Sequence, residues 1–204
     1  MAELSKGEAT TAKILAAAEE LFVARNYADV TVAQVAEAAQ VTKGAVYHHF
    51  SSKEQLYLAM LHTDLEAKRR LHEAGACREG SCWQRLRWLT EAFFALPRTK
   101  RDLIGLVRRD INIFPAPMRS ELVQAYQRAL PELVEQLVRD GIRDGEIMPT
   151  DPRLLAWHFI ALVEVVLTPY AQQRFACDED RLNYVMSLFT SGCSRRCEAQ
   201  GENQ

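Results

Sequence analysis

Apolar residues recur every three or four positions along most of the chain, which is the spacing of one face of an α-helix. The pattern predicts an all-α fold of about nine helices. We expect a loose polar arm over 1–8 and helices over 9–25, 31–39, 43–49, 52–73, 81–97, 99–113, 118–144, 151–168 and 180–191. Pro131 interrupts one of these segments and predicts a kink or a break near Leu130.

The stretch 31–53, TVAQVAEAAQVTKGAVYHHFSSK, predicts two short helices joined by a tight turn. Thr31 and Thr42 stand where each helix needs an N-cap. The second helix must be held by packing, because isolated helices shorter than about 12 residues are marginal in water. Val46 and Phe50 can supply that packing, so the other side chains of this helix are expected to point outward.

These outward side chains suit the major groove of DNA, because small residues allow close approach while hydrogen-bond donors and an aromatic ring surround them. The candidates for base edges or the groove floor are Lys43, Ala45 and His48, with Gly44 permitting close approach. Phosphate contacts set position rather than sequence. The candidates for them are Tyr47, His49, Lys53 and the hydroxyls or backbone amides of Thr31 and Thr42.

The same stretch, continued to TVAQVAEAAQVTKGAVYHHFSSKEQL, closely resembles the TetR family of transcriptional regulators, and the likeness extends back to Ile14. The resemblance implies a three-helix helix-turn-helix DNA-binding domain over 1–52 and a helical ligand-binding and dimerisation domain over 53–204. It also implies a homodimer that binds a palindromic operator and is joined through its last two helices. Two positions depart from the family, which usually has glycine where this chain has Asn26 and Gln40.

Charge and composition narrow the function classes. The net charge of −2 does not favour a nucleic-acid binder, but residues 40–53 hold two lysines, two histidines and no acid. The run Lys68-Arg69-Arg70 is expected on a solvated face of the long helix. The longest apolar run, 154–167, contains two polar residues and is too short to span a bilayer. With a polar start that resembles no signal peptide, a cytoplasmic location is expected.

The middle helices offer a largely apolar and aromatic lining for an effector pocket. The resemblance implies a small lipophilic effector, such as a drug-like aromatic compound, a fatty acid or an acyl-CoA, which releases a repressor from its operator. Core packing is the competing interpretation for every candidate. The candidates are Trp88, Phe93, Ile104, Val107, Arg108, Ile111, Tyr126, Leu130, Trp157 and His158.

The five cysteines, in a chain without an export signal, predict reduced thiols. Cys193 and Cys197 have two arginines between them, which can lower a thiol pKa, so a thiol- or metal-responsive regulator on the same scaffold is the alternative. The sequence has no metal-ligand spacing, phosphate loop or nucleophile elbow. We therefore predict no metal site, no cofactor and no enzymatic activity.

Overall fold

The computed structural model describes residues 5–193, and its regular structure is helical, which confirms the predicted all-α class. The α-helices of this range are α1 (Lys6–Ala24), α2 (Val32–Ala38), α3 (Lys43–His49), α4 (Lys53–Ala76), α5 (Cys82–Phe94), α6 (Arg98–Asp110), α7 (Ala116–Ala129), α8 (Pro131–Arg143), α9 (Pro152–Val166), α10 (Pro169–Gln172) and α11 (Asp178–Cys193). Short 3-10 helices at Tyr27–Asp29 and Ile111–Ile113 follow α1 and α6.

The helices outnumber the predicted nine for two local reasons. Pro131 begins a separate helix, and Leu130 before it has φ −147° and ψ −57°, so the chain breaks rather than kinks between α7 and α8. The other addition, α10, has only four residues. The predicted arm over 1–8 is wrong for residues 6–8, which belong to α1, because Ser5 and Glu8 form a capping box that starts this helix.

The described residues pack into two compact units, the first made of residues 5–69 and 96–127. In it, α1 packs against α2 and α6, and α2 packs against α3. The core of this unit contains a group of aromatic rings around Tyr57. The centroid of this ring lies 4.7 Å from that of Phe22 and 5.7 Å from that of Phe114. The Tyr57 hydroxyl donates a 2.5 Å hydrogen bond to Asp110 Oδ2, which joins α4 to the end of α6.

Two lysines of the first unit pair with carboxylates. Lys68 and Asp64, one turn apart on α4, form an ion pair whose side chains are only 2% and 5% exposed. Lys100 of α6 pairs with Glu19 of α1 and lies 3.9 Å from Asp64 Oδ1. The prediction that residues 68–70 lie on a solvated face is therefore wrong for Lys68. Burial lowers the pKa of Lys68, although the Asp64 carboxylate opposes this change.

The second unit consists of residues 70–95 and 128–193 and is built on α5, α8, α9 and α11. Helices α5 and α8 approach closely where Gly141 faces Cys82. A Cβ at Gly141 would lie 2.9 Å from Cys82 Sγ, so a larger residue would push the two helices apart. The backbone N–H of Cys82 donates to both carboxylate oxygens of Glu146 at 3.0 Å. This contact fixes the start of α5 against the chain after α8.

Candidate nucleic-acid interface

The turn between α2 and α3 closes with the two hydrogen bonds of a Schellman motif. The backbone N–H of Val41 donates to Ala36 O at 2.9 Å, and that of Gln40 donates to Glu37 O at 3.0 Å. The motif places Gln40 in the left-handed region, with φ 56°, where glycine is the usual residue. At the other departure from the family, Asn26 has φ −66° and needs no left-handed conformation.

Replacing Gln40 by glycine should stabilise the chain by about 0.5–1 kcal/mol, because the strain relieved at positive φ exceeds the extra backbone entropy that glycine loses on folding. Thermal unfolding should show a Tm higher by about 1–4 °C for a chain of this size. Gln40→Ala is the matched control, since it keeps the Cβ and should not raise the Tm. An equal increase in both variants would mean that the Gln40 side chain, and not its φ, was unfavourable.

Capping and packing hold the two short helices in place. Thr31 Oγ1 accepts from the Gln34 backbone N–H at 3.3 Å, and Gln34 Oε1 accepts from the Thr31 backbone N–H at 2.8 Å, which confirms a capping box at α2. Thr42 Oγ1 accepts from the Ala45 backbone N–H at 3.1 Å and caps α3. Val46 is 1% exposed and anchors the middle of α3. The orientation of α3 is therefore set by its buried side and by its first turn.

The groove candidates lie together on the exposed side of α3. Lys43, Gly44 and His48 are exposed, Tyr47 is 46% exposed, and Ala45 is half-buried. Lys43 Nζ lies 5.8 Å from the centroid of the Tyr47 ring, so the ammonium and the ring form one surface. Positions 43, 44, 47 and 48 share one helix face, as a helix that enters a groove requires.

Two of the phosphate candidates have contacts that the sequence did not predict. His49 is half-buried, and its Nδ1 lies 3.2 Å from Thr11 Oγ1 of α1, which leaves Nε2 for another partner. Lys53, the first residue of α4, places its Nζ 4.2 Å from the centroid of the buried Tyr27 ring. Burial lowers the pKa of Lys53, and the nearby Glu54 carboxylate opposes this change. Both contacts join residues far apart in the chain. A local sequence pattern therefore cannot predict that Thr11 contacts His49 or that Tyr27 contacts Lys53.

The effector candidates are divided between the two units. In the first unit Ile104, Val107 and Tyr126 are buried, Ile111 is half-buried and Arg108 is exposed. In the second unit Phe93 and Leu130 are buried, Trp88 and Trp157 are half-buried and His158 is exposed. Burial fits both core packing and the lining of a cavity, so these assignments stay predictions.

His158 lies on an outward face of α9 that is apolar and uncovered. Leu154 and Val165 on this face are 56% and 59% exposed, and the small Ala161 lies between them. The opposite side of α9 packs on α11, where the Phe159 and Phe189 ring centroids are 4.9 Å apart. Helix α11 also carries exposed apolar side chains, Tyr184 at 50% and Leu188 at 47%. The position of His158 favours a role in this outward face over the lining of a pocket.

Two of the described cysteines, Cys82 and Cys193, do not have the environment of reactive thiolates. Burial, with the Glu146 carboxylate nearby, raises the pKa of Cys82 to about 12. Burial also raises the pKa of Cys193, which is the opposite of the lowering that the thiol-sensor alternative requires. Cys197 and the two arginines before it lie outside the described residues. Within residues 5–193, no three His, Cys, Asp or Glu side chains are grouped as a metal site would need.

None of the described helices combines the length and the apolar character needed to cross a membrane.

The comparisons with known proteins cover both the interface and the helices that follow it. The profile of "Bacterial regulatory proteins, tetR family" matches residues 14–60, and that of "Tetracyclin repressor-like, C-terminal domain" matches residues 79–173. YhgD of Bacillus subtilis (strain 168), an uncharacterized HTH-type transcriptional regulator, is 26% identical over 179 residues, which are 86% of this chain and 92% of that protein.

Two solved structures show the same fold. FadR from Bacillus subtilis in complex with stearoyl-CoA superposes with a TM-score of 0.74 at 19% identity, covering 89% of this chain and 98% of that one. AibR in complex with isovaleryl coenzyme A and operator DNA gives a TM-score of 0.73 at 20% identity, covering 88% and 97%. Together with the capped helix-turn-helix motif and its exposed basic and aromatic face, these matches show that the chain belongs to the TetR family of DNA-binding transcriptional regulators.

Proposed function

We propose that the protein is a homodimeric repressor that binds a palindromic operator and is released by a small lipophilic effector. The observation that carries the DNA-binding part is the exposed face of α3, where Lys43, Gly44, Tyr47 and His48 lie together above a buried anchor. In this proposal α3 enters the major groove. Lys43, Ala45 and His48 contact base edges or the groove floor, and Gly44 lets the helix approach closely.

The phosphate contacts come from residues around α3. Tyr47 contributes its hydroxyl, and Thr31 and Thr42 contribute their hydroxyls or backbone amides. His49 contributes the Nε2 atom that its contact with Thr11 leaves available. Lys53 acts from the first turn of α4, with its ammonium held over the Tyr27 ring. Few cations take part, so each subunit makes few phosphate contacts and a dimer doubles the number.

In the proposed two-fold dimer, two copies of the chain are joined through α9 and α11. The proposal is supported by the uncovered apolar face that includes Leu154, Val165 and Leu188, which a second copy would bury. The two α3 helices would then be about 34–36 Å apart, the spacing of successive major grooves on one side of DNA. This spacing accounts for a palindromic operator.

Effector release requires that the ligand bind one arrangement of the dimer better than the arrangement that fits the operator. The neighbours FadR and AibR were solved with stearoyl-CoA and isovaleryl coenzyme A, which supports an acyl-CoA as the effector. A fatty acid and a drug-like aromatic compound are the other members of the proposed lipophilic class. The buried candidates Phe93, Ile104, Val107, Tyr126 and Leu130 would provide apolar lining. The proposal includes a cytoplasmic location, because the operator DNA that it requires lies there.

The test starts from a duplex that the purified protein selects out of a randomised library. Tyr47→Ala should weaken binding to this duplex and to each of its single-base-pair variants by a similar factor of about 30-fold, because each of the two subunits loses a hydrogen bond of about 1 kcal/mol. Fluorescence anisotropy at fixed salt concentration measures these affinities, and the ratios between duplexes should be preserved.

Lys43→Ala is the comparison, because loss of a base contact should change the ratios between duplexes as well as the affinity. A Tyr47→Ala protein with altered ratios and unchanged overall affinity would disprove the phosphate role of Tyr47. Failure of the unmodified protein to select any duplex would disprove the proposed function itself.

A further inference from the structure

The turn that follows α4 holds Arg78 over the side chain of Trp88. The guanidinium carbon lies 5.2 Å from the centroid of the indole ring. Gly80, with φ +141°, brings the backbone against the same ring, and a Cβ there would lie 3.3 Å from the indole and 2.7 Å from Gln84 Oε1. Glycine fits both restrictions best, because it has no Cβ and adopts positive φ without strain.

Arg78 and Trp88 line an open cleft of about 340 Å³ between the end of α4 and α5. This volume is near the lower end of the range of about 300–1,000 Å³ that small-molecule sites occupy. Most of the remaining lining is apolar and small, with Leu71 and Ala74 on α4 and Ala92 on α5. The cleft therefore has room for a compact apolar group, and Trp88 offers that group a rigid aromatic wall.

Two charged side chains line the cleft, and one of them is already neutralised. Glu91 accepts a 2.8 Å hydrogen bond from Arg87 Nε on the same helix. Arg78, in contrast, has no carboxylate within ion-pair distance among the described residues, and its guanidinium contacts only the indole ring. A guanidinium that lies against a ring keeps its edge free, and that edge carries N–H donors in the planar arrangement that matches a carboxylate.

We propose that this cleft binds a small organic acid, with its carboxylate on Arg78 and a compact apolar body against Trp88 and the alanine floor. A carboxylate bound through both of its oxygens would give the Arg78 guanidinium a negatively charged partner. An organic cation would be repelled by Arg78, and a neutral apolar compound would leave the guanidinium without a partner. The site does not depend on the proposed operator binding, because every group in it belongs to the second unit.

Isothermal titration calorimetry on the full chain without DNA tests this site, with 2-naphthoate as the probe and 2-naphthamide as its uncharged equivalent. Naphthoate should bind once per chain and about three- to fivefold more tightly than the amide, as expected for an ion pair with an exposed guanidinium. Arg78→Gln should lower the affinity for naphthoate about three- to fivefold and remove its advantage over the amide. Arg78 is exposed, so the variant is expected to fold normally.

Arg174→Gln is the matched control, because the Arg174 guanidinium also lies over an aromatic ring, 5.0 Å from the Tyr170 centroid, but does not line this cleft. This variant should bind naphthoate as the unmodified protein does. Equal affinities for naphthoate and naphthamide, or an equal loss in both arginine variants, would overturn the proposal. The absence of naphthoate binding at millimolar concentration would overturn it as well and would leave the operator-binding proposal standing.

Discussion

Replacing Asp64 by asparagine should lower the free energy of unfolding by about 3–5 kcal/mol at neutral pH, because it leaves the buried Lys68 ammonium without its counter-charge. Asparagine keeps the shape of aspartate, so the loss reports the charge rather than a cavity. Lys68 is 2% exposed, so its side chain is shielded from water. The midpoint of urea-induced unfolding, followed by circular dichroism, measures the effect.

The pH dependence of this variant has a definite sign. Burial lowers the pKa of Lys68 in the folded chain, and the Asp64 carboxylate partly restores it, so the substitution should lower this pKa further. Between that pKa and the ordinary lysine value of about 10.4, the unfolded chain binds more protons than the folded one. Stability therefore rises with pH in this window, and the deficit of Asp64→Asn should shrink as the pH approaches 10.4, the ordinary value.

Two further variants test whether the loss of stability comes from the buried Asp64–Lys68 ion pair. Glu66→Gln removes the carboxylate of a half-buried ion pair on the same helix, 2.8 Å from Arg69, and should cost no more than about 1 kcal/mol. Joint replacement of Asp64 by leucine and Lys68 by methionine should recover most of the stability, because two apolar side chains need no solvation. An Asp64→Asn protein as stable as Glu66→Gln at neutral pH would mean that Lys68 finds water or another partner.

Replacing Val165 by glutamate should raise the dissociation constant of the proposed dimer at least about 100-fold. Val165 is 59% exposed on the outward face of α9, and a two-fold axis would bring the two new carboxylates into one interface. Like charges placed together in an interface cost several kcal/mol. Sedimentation velocity over a range of concentrations measures the constant. Operator affinity should fall in parallel, because a monomer loses the gain from binding two half-sites at once.

Ile113→Glu is the matched control for this prediction, since Ile113 is also an exposed apolar residue, at 47%, but lies outside α9 and α11. Its effect on the dissociation constant should stay within about threefold, as for ordinary surface substitutions. If Val165→Glu and Ile113→Glu both remained dimers, the outward face of α9 would not be the subunit interface.

The sequence predicted those features that depend on residues close together in the chain. The caps at Thr31 and Thr42 were predicted because a cap and the amide that it binds are three residues apart. Pro131 marked its break because proline cannot donate the hydrogen bond that a continuous helix needs. The same local rule applies at Ser5 and Glu8, whose capping-box spacing starts α1 before the residue that the apolar periodicity alone predicts.

The contacts of the site with its surroundings could not be predicted in the same way. The contact between Thr11 and His49 spans 38 positions, and that between Lys100 and Glu19 spans 81, so each depends on how helices pack. The burial of Lys68 had a partial signal, because Asp64 stands four residues before it, at the spacing of a helical ion pair. That spacing predicts the pair but does not reveal that α1 and α6 place further charges beside it.

The aromatic packing around Tyr57 limits how freely the DNA-reading part could be exchanged between relatives by recombination. A chimera joined after residue 52 would carry the α3 residues that we propose to face DNA, but it would take the neighbours of Phe22 and Tyr27 from the recipient. Those neighbours are Tyr57 and Phe114, and Phe114 lies more than 60 positions beyond the junction. A graft that includes residues 53–69 and 96–127 would keep the donor's own rings together. The α3 segment proposed to read DNA is contiguous in the sequence, whereas the aromatic residues that support it are not.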